Sequence, residues 1–242
     1  GKTTTTKKLS QYIRDAGRRC HTVSIDDFYK NPDDVPLDEN GRRDLEGIES
    51  IDLAYLHECL EQLAAGREAR IPRFDFMLKK RADDYTPITL GDGDVAVIDL
   101  IGRCGMDYTP DNPFQLVERI LRKIQTKLIL VELHAEATSE KLAMGRMLDG
   151  QVSAVWGTHT HVPTADTMIL PQGTGYVTDL GMTGPRDSVL GIRPELSIRR
   201  FRGDLPSRYE PAPGPCKLEA CLFTIDDATG RCTAVRRVDI HG

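Results

Sequence analysis

The sequence predicts an α/β protein. Segments with helical apolar spacing alternate with short strand-like runs along the whole chain, as an interleaved α/β fold requires. The 242 residues are 39% hydrophobic and 29% charged, a balance that sustains a buried core. The longest aliphatic run, residues 128–133, is broken by Glu132 and is far too short to span a bilayer, so no membrane partner is expected. A formal net charge of -5 speaks against bulk binding of nucleic acid. No leader-like segment opens the chain, and its six cysteines lack C-x-x-C spacing. They read as reduced thiols, and a cytoplasmic location is expected.

Residues 3–16 predict a helix with Leu9, Tyr12, Ile13 and Ala16 on one face and Gly17 as its stop. Residues 20–25 alternate as a strand that ends on Asp26 and Asp27. Residues 31–50, with Pro32, Pro36 and Gly41, predict a surface loop. Residues 51–65 predict a helix with Leu53, Leu56, Leu60 and Leu63 inward. A short apolar-rich stretch at 71–76 precedes Lys79, Lys80 and Arg81. After a turn at 91–94, residues 95–99 predict a buried strand. A helix (114–124), a strand (127–133), a helix (139–148) and a strand (152–156) follow. The Gly-, Thr- and Pro-rich stretch 157–192 carries short strands near 168–170 and 176–179. Residues 194–201 predict a short helix, and 217–225 with 233–240 a hairpin turning at Gly230.

Two constellations carry chemistry. Gly1-Lys2-Thr3 matches the last three positions of a phosphate-binding loop at the start of the first helix. There a lysine reaches phosphates and a hydroxyl ligates magnesium. Asp26 can accept a proton from a substrate hydroxyl, or else simply cap the following turn. The stretches GKTTTTKKLS, VSIDDFY and IPRFDFMLKKR resemble the uridine kinase and phosphoribulokinase family of P-loop kinases, over residues 1–94. That resemblance implies ATP and magnesium at Lys2 and Thr3, a general base at Asp26, and an acceptor site lined by Tyr29, Phe74 and Arg81. The loop's earlier glycines are absent from the chain, which predicts weak nucleotide binding.

The second constellation is His134, His159 and His161, each just beyond an expected strand and thus facing the crevice where α/β proteins bind ligands. Neutral imidazoles suit Fe, Mn or Zn, and the three are expected to converge on one metal-sized pocket. The stretches VAVIDLIGR, HAEATSEKLAMG and DGQVSAVWGTHTHVPTADTMILPQGTGYVTDLGMTGP resemble the YmdB-like family of calcineurin-type metallophosphoesterases, over residues 95–242. The resemblance implies a two-metal site with these histidines as ligands, Thr158 and Thr160 beside the metals or the phosphate, and a cyclic nucleotide or related phosphodiester as the small-molecule partner. The family's Gly-Asp, Glu-Asn and Asn-His motifs have no counterpart in context, so impaired activity is expected. The expected architecture is a partial kinase-like segment joined to the C-terminal portion of a metallophosphoesterase α/β sandwich. A nucleoside kinase and an inactive metal- or phosphate-binding composite are the alternatives. The sequence assigns no oligomeric state.

Overall fold

The computed structural model describes residues 11, 14–15, 21, 23, 25–37, 41–43, 45, 48–91, 94–106, 112–205 and 208–242. Two compact units emerge: Gly1–Asp94 with Arg122–Gln125, and Val95–Leu121 with Thr126–Gly242. The phosphate-loop residues Lys2 and Thr3, and most of the helix and strand expected before residue 25, lie outside the described residues. Asp26 falls in a 3-10 turn, Ile25–Phe28, rather than at a strand end.

In the first unit, helix α1 (Leu53–Ala64) begins where the Asp52 side chain accepts the Tyr55 amide at 3.1 Å, satisfying one of the donors a helix start leaves open. Strands β1 (Ala69–Asp75) and β2 (Lys80–Ile88) form an antiparallel pair with Phe74 opposite Arg81. The core gathers Phe28, Cys59, Leu63, Ala69, Ile71 and Ile88. The expected inward stripe of α1 is corrected accordingly. Leu53 and Leu60 are each 48% exposed, while Tyr55, Leu56, Cys59 and Leu63 face the core. The loop expected over 31–50 contains two 3-10 turns, Pro32–Asp34 and Ile48–Ser50.

The second unit alternates strands and helices: β3 (Ala96–Ile101), α2 (Pro113–Leu121), β4 (Ile129–His134), α3 (Thr138–Met147) and β5 (Ala154–Thr158). Short strands β6 (Met168–Ile169), β7 (Gly175–Val177) and β8 (Thr183–Pro185) follow. Helix α4 (Pro194–Phe201) and the hairpin β9 (Cys216–Ile225) and β10 (Cys232–His241) complete it. The main sheet runs β3-β4-β5-β7-β6, parallel except for β6, and a three-stranded antiparallel sheet runs β10-β9-β8. The mixed α/β class is as the sequence predicts. Among the described residues no helix is long and apolar enough to cross a membrane.

Alternation explains the layering. Ile98, Leu100, Val131, Leu133 and Val155 are buried on one face of the main sheet, where α2 packs on β3 and α3 on β5. The other face carries Asp99, Glu132 and Trp156 in one cross-strand row and Ile101, His134 and Thr158 in the next. Trp156 meets Phe223 of β9 with ring centroids 6.2 Å apart, so the second sheet covers this face near β5. The strand expected to be buried over 95–99 is buried on one face only. Val97 is 62% exposed, because it alternates onto the face opposite Ile98 and Leu100, at the edge of the sheet.

Tyr176 on β7 is fully buried, its hydroxyl 2.9 Å from Thr178 Oγ1. Burial pushes the phenol up to about 12; the charge of Asp166 adds to this, and the Thr178 hydrogen bond opposes it. A raised acid in the folded state gives stability that is complete below the ordinary tyrosine value near 10 and is lost as pH rises through about 12. Phenolate absorbance should therefore show a late-titrating component near pH 12, coincident with alkaline unfolding and lost in Tyr176→Phe, whereas Tyr55, also raised by burial, stays in that variant. A tyrosine titration complete by about pH 11 in the folded protein would contradict this burial.

Candidate active site

The C-terminal ends of β4 and β5 and the loop after β7 enclose a cavity of about 460 Å³. Glu132, His134, Thr158, His159 and His161 line one side of it, and Gly181 to Pro185 the other. The strand register places His134 beside Thr158, and the chain then turns sharply. His159 and His161 both take left-handed backbone conformations, with φ of 102° and 63°. Such values are rare for side chains with a Cβ and persist only where surrounding structure imposes them.

The hydrogen bonds fix where His134 Nδ1 stands. The Thr158 hydroxyl donates to Glu132 Oε1 at 2.7 Å. Its single proton is spent, so at 2.9 Å it accepts from His134 Nδ1, which must carry the hydrogen. His134 Nε2 is then a free lone pair. On the neighbouring ring, His159 Nε2 lies 3.1 Å from the Glu136 carboxylate, an ion-pair distance. The remaining nitrogens, His134 Nε2 and His159 Nδ1, face each other at 3.1 Å, with the rings perpendicular at 89°.

Two lone pairs aimed at each other repel unless a proton or a cation lies between or beside them. Two imidazole nitrogens bound to one tetrahedral Zn-like ion lie about 3.3–3.4 Å apart, with their lone pairs converging on the ion and not on each other. The facing arrangement at 3.1 Å is instead that of an imidazole–imidazole hydrogen bond, one of the two nitrogens carrying the proton. His134 Nδ1 is held by the Thr158 hydroxyl, and His159 Nε2 lies beside the Glu136 carboxylate. His161 lines the same cavity. The expected convergence of all three on a single ion is narrower than the geometry, however. Among the described residues no group of three or more His, Cys, Asp and Glu side chains is placed to hold one ion together.

The acids around the pair are Glu132, Glu136 and Asp99. Asp99 keeps a solvent-exposed edge, yet its carboxyl is raised above its ordinary value. Desolvation is the main cause, the adjacent Glu132 charge adds to it, and His134 opposes it. Thr160 turns away from the cavity: its hydroxyl is bound to Asp179 Oδ2 at 2.8 Å. Glu132 and Glu136 are legible in the sequence only as an E-x-H-x-E pattern around His134, a signal that the reading of strand ends passes over.

In the first unit, Tyr29 and Phe74 stack 5.4 Å apart, with Phe76 5.1 Å from Phe74. Arg81 lies opposite Phe74 in the ladder. Its guanidinium is engaged by Asp52 Oδ2 and the Phe28 carbonyl, each at 3.2 Å. Asp26 has only its backbone described.

Comparison with known proteins carries the phosphodiesterase resemblance and not the kinase one. A 2',3'-cyclic-nucleotide 2'-phosphodiesterase of Bacillus subtilis (strain 168) is 45% identical over 150 residues, 61% of this chain and 56% of that protein. A putative phosphatase/phosphodiesterase of Mycoplasma pneumoniae is 38% identical over 136 residues, 56% of this chain and 48% of that protein. The crystal structure of a hypothetical protein from Thermus thermophilus superposes with a TM-score of 0.59 at 38% identity, covering 64% of this chain and 63% of that one. That of a novel Mycoplasma pneumoniae phosphatase superposes with a TM-score of 0.57 at 36% identity, covering 60% and 52%. The chain thus spans about half the length of the curated relatives it matches. The sequence profile of the YmdB-like proteins begins at residue 78, inside the segment expected to be kinase-like, and runs to residue 238. Because that match covers more than half of the chain, the chain belongs to the YmdB-like protein family.

Proposed function

We propose that the second unit carries the imidazole part of a phosphodiester-hydrolysing site that works on 2',3'-cyclic nucleotides or related small phosphodiesters with a divalent metal, Fe, Mn or Zn. The observation that carries this reading is the gathering of His134, His159 and His161 on one wall of a cleft within the segment that matches the YmdB-like proteins. The similarity to a cyclic-nucleotide phosphodiesterase gives the substrate class.

When bound, such an ion supplies Lewis acidity and a hydroxide-like nucleophile at neutral pH. The residues of the chain do the remaining work. His134 and His159 would hold the ion, His161 lines the same side of the cavity, and Thr158 with Glu132 keeps the hydrogen of His134 on Nδ1. The Gly181–Pro185 loop lines the opposite wall without large side chains beyond Met182, leaving room for a phosphate. The carboxylate partners of a two-metal site are not grouped with these imidazoles among the described residues, which favours slow turnover.

The test is hydrolysis of a 2',3'-cyclic nucleotide and of an activated aryl phosphodiester with added Mn or Fe. Metal-dependent turnover orders of magnitude below that of a complete relative is expected. Turnover indifferent to chelation would overturn the reading; so would no detectable turnover together with no metal uptake, which would leave an inactive composite. A second reading, nucleoside kinase, rests on the clustering of Tyr29, Phe74 and Arg81. ATP-dependent phosphorylation of uridine by the same preparation would favour it.

A further inference from the structure

Lys141 and Asp179 are each 1% exposed, and their charged atoms meet at 2.7 Å. A buried ion pair adds little net stability, because desolvating two charges offsets their attraction. What distinguishes this one is the set of groups gathered on the carboxylate. Besides Lys141 Nζ, Asp179 Oδ2 accepts the Thr160 hydroxyl at 2.8 Å and the Thr160 amide at 3.2 Å. Its Oδ1 accepts the Gly181 amide at 2.9 Å. Its own amide donates to the Thr164 hydroxyl at 2.9 Å, and its carbonyl accepts the Thr164 amide at 3.2 Å.

Thr160 is the residue between His159 and His161, the two left-handed positions of the cavity loop. Gly181 begins the opposite wall. One carboxylate therefore ties both walls of the cavity, and it does so at the point where the backbone is least favourable. Lys141 reaches it from α3 along a path that exists because Gly157 has no side chain. A Cβ there would lie 2.5 Å from Lys141 Cδ.

We infer that Lys141 and Asp179 are positioning residues of this site: the neutralised carboxylate holds the His159-Thr160-His161 loop in its strained form, so that both imidazoles face the cavity. The catalytic meaning of this inference rests on the phosphodiesterase reading above; the loop geometry does not.

The test uses the full chain with Lys141→Met, Asp179→Asn, the double variant, and Thr160→Val. Three quantities are measured: thermal unfolding, Zn affinity by calorimetry, and amide hydrogen exchange of Thr160 by NMR without metal. The single variants should lower Zn affinity by about 10–100-fold. They should also speed Thr160 exchange beyond any change in global stability. The double variant leaves no unpaired charge, so it should regain much of the thermal stability without regaining Zn affinity or Thr160 protection. Thr160→Val removes the hydroxyl's bond to Asp179 and its longer contacts with the Val162 amide and carbonyl but leaves both charges in place. It should shift Zn affinity in the same direction by less, which keeps the inference testable if the charge variants do not fold. A double variant with wild-type Zn affinity and wild-type Thr160 protection would reduce the pair to a stabilising contact and overturn the inference. If the wild-type chain takes up no Zn, the metal reading fails by itself. Thr160 exchange then decides alone, and unchanged exchange in Asp179→Asn overturns the positioning role.

Discussion

Gly157→Ala is expected to dismantle the end of the sheet on which the cavity is built. The added methyl would lie 1.9 Å from the Thr178 carbonyl oxygen and 2.5 Å from Lys141 Cδ. The first of these is backbone and cannot swing away. Gly157 is held on both sides, opposite Leu133 in the β4 ladder and by its own carbonyl, which accepts the Leu180 amide at 3.0 Å. Relief requires β5 to separate from the segment after β7. Overpacking of this kind costs about 3 kcal/mol or more. In a unit of this size that is a fall in melting temperature of about 6–12 °C. Gly184→Ala is the control. Its methyl would meet only the flexible end of Met182, at 2.9 Å, and a change of under about 1 kcal/mol is expected. Equal melting temperatures for the two variants would show that β5 and the Thr178 segment are not packed as described.

His159→Ala should abolish tight metal uptake while leaving the fold intact. The ring is partly exposed and packs edge-on against His134, so its loss opens no buried cavity. It does remove one of two facing nitrogens, and the survivor, His134 Nε2, cannot hold an ion firmly by itself. Loss of a direct ligand should exceed the tenfold to hundredfold effect typical of an orienting neighbour, so a weakening of about 100-fold or more in Mn or Zn affinity is expected. His57→Ala, on the exposed face of α1, should change nothing. Calorimetry on the three proteins decides between site-specific and adventitious binding. Equal uptake by wild type and His159→Ala would show that the facing pair is not where metal goes.

Sequence reading succeeds where one element determines its own pattern. The run around β4 is short, apolar and alternating, and α3 follows it within a few residues, so both are local statements. Three histidines after strands announce the cavity for the same reason. The failures have a common cause in long-range pairing. β2 is polar and largely exposed; it exists because its backbone pairs with β1, and its side chains do not advertise that. The face of α1 is misjudged by a small rotation, since both leucine stripes satisfy helical spacing and only the packed hairpin selects one. Lys141 reads as a solvent-facing helix residue until its partner, 38 positions away, is known. Glu132 reads as a break in a strand until Thr158 and His134 are set beside it.

The left-handed backbone at His159 and His161 bears on how such a protein drifts under mutation. Glycine adopts positive φ freely, whereas a residue with a Cβ held there costs about 1 kcal/mol or more. At these two positions the stablest chain and the chain with both imidazoles are therefore different chains. A library screened only for heat resistance should enrich glycine at residue 159, where φ is 102°, and in doing so erase the ligand. A library screened for metal uptake as well as heat resistance should instead keep histidine at both positions, if the proposed role of the two imidazoles holds.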